Sequence, residues 1–302
     1  SEYMTFSMKT LVVAGLIASL LFPAIAPATS VWAADISTES ITLTPVTKHY
    51  ELDAGTSARD SFKVINSGQS SYDFIVYARP YTIVDSDYER PDYGDKANNV
   101  LNADAYRWAE FDQANYHIEP GQEVEVSYSL KVPTGATPGG HYGVLFAEVQ
   151  SGAGGMIGRN KRVGTVVYAT VKGEYKTGAE LSQPGASFFQ IYPPLTAHTA
   201  VKNTGNASFV ATTTFKVSDI FGGEKYVTQL EQDVISETTR ATELAWKDSP
   251  SFGLFKVAVN TKALDKQVSY ESYVLMAPFW VFGLVAILVV GGVMYAVARR
   301  KR

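Results

Sequence analysis

The sequence predicts an all-β protein of two tandem sandwich domains followed by one C-terminal transmembrane α-helix, and three observations carry that reading. Between the two ends, apolar residues recur with period two in short runs rich in Val, Tyr, Phe and Thr, bounded by Gly, Pro, Asn and Asp. A strand-turn-strand motif occurs twice. From Ser272 to Ala298 no side chain is charged, and the chain closes on Arg299, Arg300, Lys301 and Arg302.

The uncharged stretch defines a membrane helix, 273–298, and a basic tail, 299–302. Backbone polar groups left unpaired in hydrocarbon are costly, so a span is helical, and about 22 residues at about 1.5 Å each cover the apolar core of roughly 30 Å. Ala277–Ala298 has that length. Lys and Arg beside a span stay on the cytoplasmic side, so the tail is expected inside and everything before Tyr273 outside. At the other end, Lys9, the apolar Leu11–Phe22 and the small-residue exit Ala28–Ala34 read as a signal peptide, residues 1–34. Cleavage is expected near Ala33 or Ala34 and initiation at Met4 or Met8. The expected localisation is the cell membrane, single-pass, with the N-terminus outside.

Composition bounds the exterior, residues 35–272, which is long enough for two domains. Its 29 acidic and 21 basic side chains leave it at about −8. A surface of that sign repels phosphate backbones, so nucleic acid is not a partner. The chain has no cysteine. The domains must therefore cohere by apolar burial, without disulfides.

In chain order, strands are predicted at Thr47–Leu52, Ala58–Ile65, Tyr72–Ala78, Glu123–Val132, Tyr142–Val149 and Val163–Lys172, with one short helix at Ala103–Glu110. A second set follows at Thr196–Lys202, Ala207–Val217, Lys225–Val234, Thr238–Trp246, Phe252–Val259 and Gln267–Val274. Short antiparallel strands at this spacing predict immunoglobulin-like β-sandwiches at 35–175 and 176–272. The repeat supports the division. Val64, Asn66, Gly68 and Tyr72 align with Val201, Asn203, Gly205 and Phe209 at an offset of 137. Asn-(Ser/Thr)-Gly is expected to turn the chain through residues that tolerate positive φ. A second match, Tyr142-Gly143 with Phe252-Gly253, is offset by 110, so the second domain is shorter. The missing part falls in Val84–Asn115.

The chemistry-bearing residues give no catalytic pattern, and the expectation is a protein that is not an enzyme and has no cofactor. His49, His117, His141 and His198 are scattered, and there is no HExxH pair and no thiol. Each histidine reads as a polar strand or turn residue. Gly152–Gly158 lacks the third glycine of a dinucleotide loop and no helix follows, so it reads as a hairpin connection, with Arg159, Lys161 and Arg162 solvated beside it. Within the acidic insertion, 84–104, the run Val84–Asp95 holds five acids and two tyrosines. Asp85, Asp87, Tyr88, Glu89 and Tyr93 are the candidate ligand contacts, because a rigid aromatic beside polar groups supplies contact area at low entropy cost. The spacing is not that of an EF-hand, and no metal site is assigned. Trp108 and Trp246 are read as core residues.

The chain resembles the WxL-interacting surface proteins of Gram-positive bacteria. The resemblance rests on Val64-x-Asn66-x-Gly68, then Ile118-Glu119-Pro120-Gly121-Gln122, Val132-Pro133 and Pro138-Gly139-Gly140-x-Tyr142-Gly143, within the order signal, two β domains, span and basic tail. It implies a first domain that binds peptidoglycan and a second that engages another surface protein. The acidic insertion and the short linker before the membrane depart from the family pattern. Three function classes follow: a surface-anchored binding protein bridging membrane, wall glycan and a second surface protein; an accessory subunit of a surface or secretion assembly with protein partners only, for which an exposed sheet edge would serve; and, last, a wall hydrolase.

Overall fold

The period-two patterning takes form as seventeen strands and one α-helix among the residues that the computed structural model describes, 40–94, 102–150 and 161–300. In the first sandwich, one sheet has the order β1 (Ile41–Thr44), β3 (Ser57–Asn66), β7 (Glu123–Lys131), β5 (Ala109–Phe111). The facing sheet runs β2 (Thr47–Leu52), β9 (Arg162–Val171), β8 (Gly139–Val149), β4 (Tyr72–Arg79), β6 (Asn115–Ile118). Pro45 has no N–H to continue the ladder, and there the first strand breaks into β1, which pairs with β3, and β2, which pairs parallel to β9. Phe62, Val64, Phe74, Val126, Tyr128 and Leu145 fill the space between the sheets.

The second sandwich repeats that topology. Its sheets are β10 (Ala179–Leu181), β12 (Leu195–Asn203), β15 (Thr239–Trp246) and β11 (Phe189–Gln190), β17 (Lys266–Met276), β16 (Gly253–Ala263), β13 (Phe209–Asp219), β14 (Glu224–Val234). With β5 set aside, the two orders match strand for strand, including the parallel pairing of β11 on β17. What the first sandwich has in addition lies between β4 and β6, where the second has only the tight turn Asp219–Glu224. The architecture is thus two immunoglobulin-like β-sandwiches in tandem, and the core of the second is built on Leu195, Phe215, Val217, Leu244, Val257 and Met276.

The repeated turn uses one device in both copies. Asn66 is fully buried; its Oδ1 accepts the Gly68 N–H at 2.9 Å and its amide donates to the Ser70 carbonyl at 2.8 Å. Asn203 does the same with Gly205 and Ala207, each at 2.8 Å. Neither asparagine nor either following glycine has positive φ. The asparagine acts through its side chain, which mimics a backbone turn.

Several boundaries differ from the sequence reading. The helix expected at Ala103–Glu110 is a single 3-10 turn, Ala105–Trp108, followed by β5, because Ala109–Phe111 gains a ladder on β7. Residues β1, β5, β6, β10 and β11 comprise are too few for a periodicity to register. The apolar stretch assigned to the membrane from residue 273 begins as strand: Tyr273–Met276 belongs to β17 and pairs with Lys256–Gly253 of β16. The helix α1 runs Phe279–Arg300 and is long and apolar enough to cross a membrane. The signal-peptide segment, residues 95–101 of the acidic insertion, the glycine run with Arg159, and Lys301 and Arg302 lie outside the described residues.

Candidate functional site

The two sandwiches meet along an end of β8 and β9, and the residues that close this joint also line a cleft. β8 is apolar on both faces: Leu145, Ala147 and Val149 point into the core, while Tyr142, Val144 and Phe146 point outward and are nonetheless buried. Two pieces of chain cover that outer face. One is the segment Tyr81–Tyr93, folded back from the end of β4. The other is the loop Ile235–Thr238 of the second sandwich, which packs with Tyr81, Tyr142 and Tyr168.

The polar groups of the joint are paired across it. The Tyr142 hydroxyl lies 2.8 Å from Ser236 Oγ and accepts the Ser236 N–H at 3.3 Å. The Tyr88 hydroxyl meets Thr238 Oγ1 and accepts the Ile235 N–H at 2.9 Å, and Ser86 Oγ accepts the Thr239 N–H at 3.0 Å. Burial pushes the Tyr88 hydroxyl up to about 12, so it stays a neutral donor. The Arg240 guanidinium lies over the Tyr88 ring, 4.4 Å from its centroid. His49 on β2 stacks on Tyr168 at 5.3 Å and reaches Asp233 at 2.7 Å.

The glycines of Pro138-Gly139-Gly140-x-Tyr142-Gly143 permit this closeness. Gly140 donates its N–H to the Asn206 carbonyl of the second sandwich at 2.7 Å. Gly139 has φ +115, and a Cβ there would stand 2.7 Å from that same carbonyl oxygen. Gly143 admits the backbone of Tyr106.

The candidate contact residues divide within this arrangement. Tyr88 and Tyr93 face inward: Tyr93 packs edge-on against Phe146, with ring centroids 5.1 Å apart, under Arg162, which also sits 4.5 Å over Phe146. Asp87 caps its own loop, accepting N–H bonds from Glu89 at 3.1 Å and Arg90 at 3.2 Å. Asp85, with φ 51, and Glu89 are exposed. Among the described residues no group of three or more His, Asp or Glu is arranged to hold a metal ion. Trp108 and Trp246 pack in their cores, Trp108 against His141 at 4.9 Å and Trp246 between Tyr226 and Phe255.

Beside the joint opens a cleft of about 630 Å³ lined by Thr82, Asn102, Thr137, Ser236, Glu237 and Thr238 among others. The polar part of its lining is hydroxyl and amide with a single carboxylate, Glu237, and the apolar part includes Tyr81, Ile83, Pro138 and Ile235. Sequence reasoning missed His49, Tyr81, Tyr142, Asp233 and Arg240. The available signal was β8 itself, since a run apolar on both faces announces burial on both.

No protein-family model and no curated protein matches the chain. Solved structures similar in fold include the E. coli chaperone DraB, at 10% identity and TM-score 0.38 over 78% of this chain and 97% of that one. The chaperone-tip adhesion subunit complex CsuC-CsuE of Acinetobacter baumannii Csu pili matches at 12% identity and TM-score 0.38, covering 77% and 97%. A PapD-like domain of human CEP192 matches at 10% and 0.32, covering 54% and 98%. The likeness is one of fold and says nothing of what this chain binds.

Proposed function

We propose that the chain is a single-pass surface protein, kin to the WxL-interacting proteins. It holds two locked sandwiches on the outer face of a membrane and binds, without catalysis, a wall glycan and a second surface protein. The observation that carries the reading is the junction with α1: only Ala277 and Pro278 separate the last strand from the helix, and Ala277 donates its N–H to the Gln190 carbonyl at 3.0 Å. With the sandwiches also tied to each other, the body stands on the helix without a flexible linker and presents the joint cleft at a set height. The basic end of α1, Arg299 and Arg300, supports an inside C-terminus. The mixed lining of the cleft, hydroxyl and amide groups beside the Tyr81 and Tyr142 rings, is compatible with a glycan as its occupant.

A second reading, protein partners only, is favoured by β14, an eleven-residue strand at the edge of its sheet with Val227 half exposed. Such an edge accepts a partner strand. Co-sedimentation of the full-length protein in nanodiscs with intact peptidoglycan sacculi separates the two. Saturable binding that falls at least tenfold in Thr137→Trp, which adds a bulky ring to the cleft lining, supports the first. Absence of binding, together with crosslinking of a partner through β14, replaces it with the second.

A further inference from the structure

Exposed aromatic side chains on the sandwiches are unevenly placed. The strand register puts Met276 beside Gly253 and Gln190, Asp219 beside Phe255, and Leu195 beside Trp246. The loops following Phe188, Asp219 and Trp246 therefore cluster at the end of the second sandwich from which α1 leaves. Each carries exposed apolar side chains, Tyr192 on the first, Ile220 and Phe221 on the second and Phe252 on the third, and the exposed Phe188 sits just before β11 beside Leu275. Phe221 is 91% exposed. Among the described residues of both sandwiches, the other exposed aromatics are Tyr273, on β17 at the same end, and Tyr175.

The tips are built to hold these rings outward. Asp219 Oδ1 accepts the N–H of Phe221 at 2.9 Å and of Gly223 at 2.8 Å, and Gly222 takes φ +87, which shapes the turn with Phe221 at its apex. Lys225 lies 3.2 Å from Asp219 and neutralises the carboxylate behind the apex. Two aromatic contacts tie the first loop to the helix: Phe189 meets Phe282 at 4.9 Å and Tyr192 meets Phe279 at 6.2 Å. The collar is thus continuous with the first turn of α1, where Phe279 and Trp280 are exposed.

We infer that the helix-proximal end of the second sandwich is a membrane-docking surface, with Phe221, Phe252, Phe188 and Tyr192 seated in the headgroup region of the same bilayer that α1 crosses. The occupant is lipid. Aromatic side chains favour the membrane interface, and exposed apolar clusters of this kind in water mark a surface that is covered. The paired charges Asp219 and Lys225 set a shallow depth, with the rings at the interface and the turn's ion pair above it. The inference rests on the reading of α1 as a span.

The cysteine-free chain allows the test to be made in full-length protein reconstituted in phosphatidylcholine–phosphatidylglycerol vesicles. Single variants Phe221→Cys and Phe252→Cys are spin-labelled, alongside Asp265→Cys at the opposite end of the sandwich and Val290→Cys in α1. Collisional accessibility to oxygen is compared with that to a water-soluble nickel chelate. The labels at 221 and 252 are expected to be at least fivefold more shielded from the chelate than the label at 265, and shallower than the one at 290. Chelate access at 221 and 252 equal to that at 265, with 290 in hydrocarbon, overturns the docking surface while leaving the span. Chelate access at 290 overturns the span and the docking surface with it.

Discussion

The His49 imidazole on β2 and the Asp233 carboxylate near the end of β14 meet at 2.7 Å, joining the two sandwiches across 184 residues of chain. Asp233 is 7% exposed. A nearly buried carboxylate that loses its partner cannot turn to water, at a cost of about 1–3 kcal/mol. His49→Ala is therefore expected to loosen the joint. Calorimetry is expected to show one unfolding transition in the parent and two in the variant, and an unsplit, unshifted transition in the variant would contradict the joint's cohesion.

Gly139 and Gly121 separate strain from steric conflict. Both have positive φ, +115 and +75, but a Cβ at Gly121 meets nothing within 4 Å, whereas at Gly139 it meets the Asn206 carbonyl at 2.7 Å. Gly121→Ala should lose about 1 kcal/mol of stability, from backbone strain alone. Gly139→Ala should lose at least about 1 kcal/mol more, because the second sandwich must move away. Denaturant melts of the two variants, run side by side, would expose an error in the joint if their losses were equal.

The paired turns offer a graded comparison. Asn66 makes two side-chain bonds, to Gly68 and Ser70. Asn203 makes these two and a third to the Val234 carbonyl at 2.9 Å, which reaches the end of β14 next to the joint. Asn203→Ala removes bonds to buried backbone groups, at roughly 1–3 kcal/mol, whereas the groups that Asn66→Ala releases are only partly buried. The loss at 203 should be the larger, measured as the shift in denaturation midpoint, and the reverse order would count against the third bond.

His141 predicts a pH dependence. Its ring lies between two acceptors, Asp104 Oδ1 on Nδ1 and the Thr137 carbonyl on Nε2, each at 2.7 Å. Only the doubly protonated ring donates to both. Burial works against that charge, but the hydrogen bonds to Asp104 and Thr137 outweigh it, and the pKa is raised above its usual value of about 6.5. A group with a raised folded-state pKa binds its proton more tightly when folded. Its contribution is complete below about pH 6.5 and is lost as pH climbs through the folded value. Unfolding free energy should thus decline from pH 6 to pH 8, and His141→Gln should flatten that decline. His117, exposed between Asp73 and Glu119, is raised in the same direction by those hydrogen bonds, so His117→Ala is the necessary companion. A slope unchanged in His141→Gln would remove the assignment.

Much of the fold was legible because its strands are long. Twelve strands recognised by period two, from Thr47–Leu52 to Gln267–Val274, sit within a few residues of their observed limits. The Val64/Val201 repeat anticipated a duplicated topology, and in the structure the additional chain lies between β4 and β6. The missed strands, such as Phe189–Gln190, are defined by a neighbour's hydrogen bonds and have no pattern of their own. The role of the candidate site residues was less legible. Tyr88 and Asp87 read as candidate ligand contacts, yet one hydroxyl reaches Thr238, 150 positions away, and one carboxylate closes its own turn.

By itself the sequence determined what depends on neighbours along the chain: alternating faces, the asparagine turns, the length and charge-free character of α1. Only the tertiary structure decided what depends on distant segments. It set which face of β8 is covered twice, which glycines face another backbone, where the last strand yields to helix, and which loop tips share one end with α1. Periodicity records that a face is apolar, but not which distant surface covers it, since pairing energies across a joint such as His49–Asp233 leave no trace in local composition.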